Sequence, residues 1–316
     1  MNRHKKILFV FITSIFSLFI FIFSGEIVCR YLLNEYLVFD IPLDERNLHY
    51  RFDRQLGWFP SGNSAGTFSG NQTINIRHNG SGFRDKEHGE KTKPRILFLG
   101  DSFVWGYDVE MEERFTEKLQ KKLPQWEMVN LGVSGYGTDQ EYLLLEREFD
   151  HYEPDLVFLM ISFTDLEIDN ISNKVYQGYY KPYFTLEKGE PVLKGLPVPK
   201  SINYYYAKHQ KLFSYSYLLR GLLKVYFSRV NPDKITVPDP TVEILNKINL
   251  FLQSKGVQFI VGFETEYPSI SDFCRLNNIP YVNVVNNLRY ATHGFHWTPE
   301  GHSYVADKIY DFLKNR

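Results

Sequence analysis

From Pro94 onward the chain alternates short apolar runs with helical faces, and that alternation leaves few folds open. Arg95-Ile96-Leu97-Phe98-Leu99 ends at Gly100, with the length and composition of a strand buried on both faces. Phe115, Leu119 and Leu123 then recur at helical spacing, and the pattern stops before Pro124. Glu127 to Leu131 reads as a second strand. Thr138-Asp139-Gln140-Glu141 fits a capping box, opening a helix that carries Tyr142, Leu145 and Phe149. Leu156 to Ile161, Val257 to Val261 and Tyr281 to Val284 read as three further strands, with a helix near 240–255. The last helix has Thr298 as its cap and Pro299 at its first position, and lines up Val305, Ile309, Phe312 and Leu313. Such an order predicts an α/β fold, a parallel sheet covered by helices on both faces. There is no internal repeat.

The N-terminus carries a separate signal. Arg3, Lys5 and Lys6 precede an apolar run from Ile7 to Phe23. A helix continued to Leu33 reaches across a hydrocarbon core of roughly 30 Å, with Glu26 and Arg30 expected in the far interface. The basic flank predicts a cytoplasmic tip, leaving everything after Arg30 on the extracytoplasmic side, periplasmic or at the cell surface. A cleaved leader is the competing reading, although Ser24-Gly25 is the only small pair near its end. Lipidation at Cys29 is a third, against which stands the large Val28 before it. Cys29 and Cys274 lie in unlike contexts and suggest no disulfide framework.

The expected organisation is an anchor at 1–33, an irregular cap at 34–93 and a main domain at 94–316. In the cap, Thr73-Ile74-Asn75-Ile76-Arg77 alternates as a strand does. An aromatic-rich insertion at about 173–235 interrupts the main domain and is expected to lie over the sheet. The formal net charge is −1, and no basic groove with interleaved aromatics appears, so nucleic acid is not an expected partner.

In open parallel sheets, ligands gather at the carboxyl ends of the strands. After the first expected strand comes Gly100-Asp101-Ser102-Phe103. Ser102 would stand on a strand-to-helix turn, supplying a nucleophile and one oxyanion donor together; a plain helix-capping serine is the alternative. After the second comes Gly132-Val133-Ser134-Gly135-Tyr136-Gly137, which either brings backbone close to a ligand or makes a tight turn. Its order is not that of a dinucleotide fingerprint. Before the final helix, His296 is placed to reach Ser102 as a general base, the alternative being a surface histidine. His293, His296 and His302 are close in sequence, but no cysteine or carboxylate cluster completes a zinc site. Neither metal nor cofactor is expected, and His302 reads as a packing residue.

Taken together these blocks resemble the SGNH (GDSL-like) hydrolase superfamily, in order, over roughly residues 94–316. Gly100-Asp101-Ser102-Phe103 matches its nucleophile block, and Asn130-Leu131-Gly132-Val133-Ser134-Gly135 its second block. His296-Trp297-Thr298-Pro299-Glu300-Gly301-His302 is similar to the block of the catalytic histidine. Leu56-Gly57-Trp58 and Asn79-Gly80-Ser81-Gly82-Phe83-Arg84 look like the lead-in of membrane-anchored bacterial members. The resemblance implies a flavodoxin-like sheet, with Ser102 as nucleophile, His296 as base, and the Ser102 and Gly135 amides as oxyanion donors.

Two positions depart from the pattern. Ser162-Phe163-Thr164-Asp165 stands where the family carries Gly-x-Asn-Asp, putting Thr164 in the place of an Asn donor; a one-residue shift would put Asp165 there. The Asp expected two or three residues before the histidine is Gly294 or His293. His293 is the nearest occupant of the acid's place, and Glu264 and Glu266, past the Val257 strand, are possible substitute acids. Asp101 and Asp165 read as turn-holding residues. The function implied is acyl-ester hydrolysis or transfer on O-acylated envelope glycans or lipids, with inner-membrane lipid as partner of the N-terminal helix. The alternative is a catalytically degenerate module of the same fold that binds a glycan or a protein.

Overall fold

The computed structural model describes residues 3–38, 49–173, 178–230, 234–292 and 294–315, except the side chains of 167 and 207. Its elements run α1 (Arg3–Leu32), β1 (Tyr50–Asp53), β2 (Gly57–Pro60), β3 (Ala65–Ser69), β4 (Thr73–Arg77), β5 (Arg95–Leu99), α2 (Ser102–Trp105), α3 (Phe115–Lys122) and β6 (Glu127–Asn130). There follow α4 (Thr138–Tyr152), β7 (Leu156–Ile161), β8 (Tyr183–Glu187), β9 (Glu190–Lys194), α5 (Ile202–Lys208), α6 (Gln210–Tyr215) and α7 (Tyr217–Val230). The chain ends with α8 (Thr241–Lys255), β10 (Gln258–Phe263), α9 (Pro268–Leu276), β11 (Tyr281–Asn283) and α10 (Pro299–Lys314). Two compact units result, one from 1–43 with 200–233, the other from 44–199 with 234–316.

The larger unit is an α/β domain on a five-stranded sheet, ordered β11-β10-β7-β5-β6 and parallel throughout. From the β6 edge that is the flavodoxin-like sequence second, first, third, fourth, fifth, whose order reverses between β5 and β7. Strand alternation sorts the core into two layers. Ile96, Phe98, Phe158, Met160 and Ile260 join Phe115 and Leu119 of α3 and Val305 and Ile309 of α10. Leu97, Leu99, Val157, Leu159, Val261 and Phe263 face the other way, toward Leu144 and Leu145 of α4 and Ile248 and Leu252 of α8. Two antiparallel hairpins, β1–β2 and β3–β4, precede the sheet, so the cap is more regular than its glycines suggest.

Three sequence expectations change. No capping box forms at Thr138: the N-cap is Gly137, and Asp165 takes both the Thr138 amide (3.0 Å) and its hydroxyl (3.1 Å). A carboxylate from the β7 loop has replaced the local cap, and Glu141 is buried without reaching back. The insertion divides between the two units. Its β8–β9 hairpin belongs to the larger unit, whereas α5, α6 and α7 group with α1. Strand β10 also runs two residues past Val261, through Gly262 and Phe263, pairing residue for residue with β7. Both cysteines are free and buried.

The smaller unit contains α1, long and apolar enough to cross a membrane by length and composition. Glu26 and Arg30 form an ion pair of 2.7 Å near its end.

Candidate active site

Ser102 opens α2, directly past β5. Its neighbour Asp101 is the N-cap, accepting from the Phe103 amide at 2.9 Å, so the serine hydroxyl is not the capping group. Hydrogen bonds continue past the end of β6, from the Leu131 amide to Phe98 (2.9 Å) and from the Val133 amide to Gly100 (3.1 Å). They lay the Gly132–Gly135 loop beside the Ser102 turn. A Cβ at Gly132 would meet the Trp105 amide nitrogen at 2.5 Å, so a side chain there would push α2 away. Asn130 ties the pieces together, donating to the Val104 carbonyl (2.8 Å) and accepting from the Gly132 amide (3.0 Å). Gly135 sits at φ +84°, where glycine is favoured. On either side, Trp58 Nε1 donates to the Ser134 carbonyl (3.3 Å) and the Tyr136 hydroxyl donates to the Trp58 carbonyl (2.6 Å).

His296 arrives from the loop before α10. The Tyr290 amide donates to its carbonyl at 2.9 Å, and the Thr298 amide donates to Leu288 at 2.9 Å, fixing the loop's return. Its imidazole is buried, stacked on Tyr107 (centroids 4.1 Å, 25°) and against Phe103 (5.1 Å). Nε2 lies 2.8 Å from the Ser102 hydroxyl. Residues 194 positions apart have been brought to hydrogen-bonding distance, the geometry needed to pass a proton between them.

The third block closes the site from β7. Asp165 accepts from the Ser162 amide at 2.7 Å while holding Thr138, so it fixes the turn. The Thr164 hydroxyl lies 3.1 Å from that of Ser162.

Both glutamates have partners of their own. Glu264 is buried and pairs with Arg289, and its other oxygen accepts from the Phe163 amide and the Thr265 hydroxyl, both at 3.0 Å. Its place is therefore to hold the third block's turn. Glu266 is exposed and bonded to Asn283 Nδ2 at 2.7 Å. His293 lies outside the described residues. Gly294 is at φ +88°, and a Cβ there would come within 2.6 Å of His296 Cε1. The imidazole leaves no room for a side chain at 294. His302 is buried, its Nδ1 accepting from the Phe115 amide at 3.3 Å, and burial drives its pKa well down.

Behind the serine lies a buried acidic group. Burial raises Asp101 to about 7, against the lowering effect of the Phe103 amide and Ser162. Burial likewise raises Glu141 and Asp165 well above the carboxylate range, with neighbouring acids adding to it. Glu141 takes no hydrogen bond from any described residue. A raised folded-state pKa means stability that is full below about pH 4 and is lost as pH rises through the folded pKa values. Glu141→Gln removes one such titration. We expect it to add about 1–3 kcal/mol at pH 8 and almost nothing at pH 4, read by denaturant unfolding. An equal gain at both pH values would assign the effect to packing.

Reading the sequence missed Tyr107 and Phe103 as the walls of the imidazole, and Arg289 as the partner of Glu264. Tyr107 follows the left-handed Gly106 that ends α2, a turn visible only once α2 is known to be four residues long.

The profile of the GDSL-like lipase/acylhydrolase family matches residues 96–309. The chain belongs to this family. Solved structures similar to this GDSL-like chain include a lipolytic protein of the G-D-S-L family from Veillonella parvula, 14% identical over 70% of this chain and 99% of that one, with TM-score 0.42. The psychrotrophic esterase EstA from a Pseudoalteromonas species is 14% identical over 71% and 98%, at TM-score 0.38. An acetyl xylan esterase, AlAXEase, is 14% identical over 69% and 99%, at TM-score 0.41. Among curated protein sequences none matches the chain.

Proposed function

We propose that this GDSL-like protein is a membrane-anchored serine ester hydrolase whose domain works on the extracytoplasmic side. The observation that carries the reading is the 2.8 Å contact between His296 Nε2 and the Ser102 hydroxyl. Ser102 Oγ attacks the acyl carbon while His296 takes its proton, and the same imidazolium then protonates the departing alcohol. The amides of Ser102 and Gly135, with the Thr164 hydroxyl, hold the oxyanion. Water completes the cycle by the reverse sequence, and a second alcohol in its place makes the protein an acyltransferase. Gly294 has no space for an acid, and His293 is the group proposed to orient His296. O-acyl groups on envelope glycans or lipids are the proposed substrates, within reach of a domain tethered by α1.

A membrane-impermeant fluorophosphonate tests activity and sidedness together, since it needs only an activated serine it can reach. Labelling of the purified protein, lost in Ser102→Ala, is the expected result. Labelling of intact spheroplasts is expected as well. A folded protein that takes no label would favour the glycan- or protein-binding alternative, and label only after lysis would reverse the topology.

A further inference from the structure

We propose that α5, α6 and α7 form a basic platform lying in the headgroup layer of the membrane, with anionic lipid as its occupant. The inference is independent of the ester chemistry and rests on α1 crossing the bilayer.

The first observation is where α7 joins α1. Glu26 accepts from the Tyr217 amide (3.0 Å), the Leu218 amide (2.9 Å) and the Ser216 hydroxyl (2.9 Å), so a carboxylate of α1 caps the start of α7. Arg30 donates to the Tyr215 carbonyl at 2.7 Å. A Cβ at Gly25 would touch the Leu218 side chain at 3.2 Å, and one at Gly221 would reach Cys29 Sγ at 3.6 Å. Helix α7 is thus fixed against residues 25–30, immediately past the apolar run that ends at Phe23. That depth is the bilayer interface.

The second observation is composition. Residues 200–230 hold Lys200, Lys208, Lys211, Arg220, Lys224 and Arg229 and no Asp or Glu, in a chain of net charge −1. The third is the outer face of the helices. Phe227 packs on Tyr205 (5.1 Å) and Phe213 on Tyr206 (5.6 Å), making a small core. Leu222, Val225, Tyr226 and Val230 recur at three- and four-residue spacing on α7 and are each at least half exposed, as are Leu212 and Tyr215 on α6. An apolar stripe with tyrosines and a surrounding all-basic charge is the pattern of an interfacial helix attracted to anionic lipid. The all-basic charge around the stripe argues for anionic lipid over a protein partner.

The test uses the full chain in phosphatidylcholine vesicles, with and without phosphatidylglycerol. An environment-sensitive fluorophore is placed at Leu222→Cys, at Tyr226→Cys and, as depth reference, at Phe16→Cys. All three side chains are exposed, so the substitutions cost no core packing. Position 16 should be quenched by nitroxides deep in the acyl chains, and 222 and 226 by nitroxides near the headgroups. Quenching at 222 and 226 should be stronger with phosphatidylglycerol, and this gain should disappear in the triple variant Lys208→Glu, Lys211→Glu, Arg229→Glu. Aqueous iodide quenching 222 and 226 while 16 stays deep would overturn the platform and leave the span intact. Iodide reaching 16 as well would show that the span itself fails, and the platform with it. Protection that scales with protein-to-lipid ratio would overturn it in favour of a second copy of the chain.

Discussion

Alanine at Ser102 is expected to lower kcat for a short acyl ester by on the order of 10⁴-fold or more, and alanine at His296 by a similar factor. The reason is the single 2.8 Å contact that makes nucleophile and base one unit. Combining the two substitutions should therefore cost little beyond either alone. Both variants should keep the wild-type unfolding midpoint closely enough that misfolding does not explain the loss. Full activity in either folded variant would move the chemistry away from this pair. Losses that multiply would mean the two residues act separately, contrary to the geometry.

The largest stability effect is expected at Arg84, against the end of α2. Its guanidinium is buried and donates to the carbonyls of Gly106 (2.5 Å), Val109 (2.8 Å) and Asn75 (3.2 Å), with its centre 4.6 Å from the middle of the Trp105 ring. The first two carbonyls belong to the end of α2 and the loop after it, both buried, and the third to β4. Arg84→Ala leaves them unpaired and should destabilise the protein by about 3–5 kcal/mol in urea unfolding. Arg84→Lys should recover only part, because one ammonium cannot reach three diverging carbonyls. A loss below about 1 kcal/mol in the alanine variant would show that the loop finds other partners.

The strands β5, β6 and β7 were legible because a buried parallel strand is a continuous apolar run, and each begins where the sequence places it. Ser102 and His296 were legible for a related reason: each stands at the edge of an element with a clear boundary. What could not be read were contacts between distant segments. Thr138 looked like a local cap until Asp165, 27 residues on, supplied one. The pairing of Glu264 with Arg289 was hidden because Arg289 carries no signal of where it will turn. Arg84 was visible as part of a glycine-rich lead-in, but its burial under α2 depends on a fold that brings 84 beside 106. The division of the aromatic insertion was hidden too. Nothing local distinguishes tyrosines that form a hairpin from those that accompany α1.

The support that Trp58, Tyr136 and Arg84 give the site changes where this enzyme family's domain begins in this chain. The profile match starts at residue 96, yet the Gly135 loop is braced by Trp58 and the end of α2 by Arg84. A chain cut at residue 94 would keep the Ser102, Gly135 and His296 blocks and lose the walls against which two of them rest. The compact unit that holds the site is thus longer than the stretch that is recognised. Its start lies upstream of Tyr50, whose hydroxyl also donates to the Ser134 carbonyl at 3.2 Å.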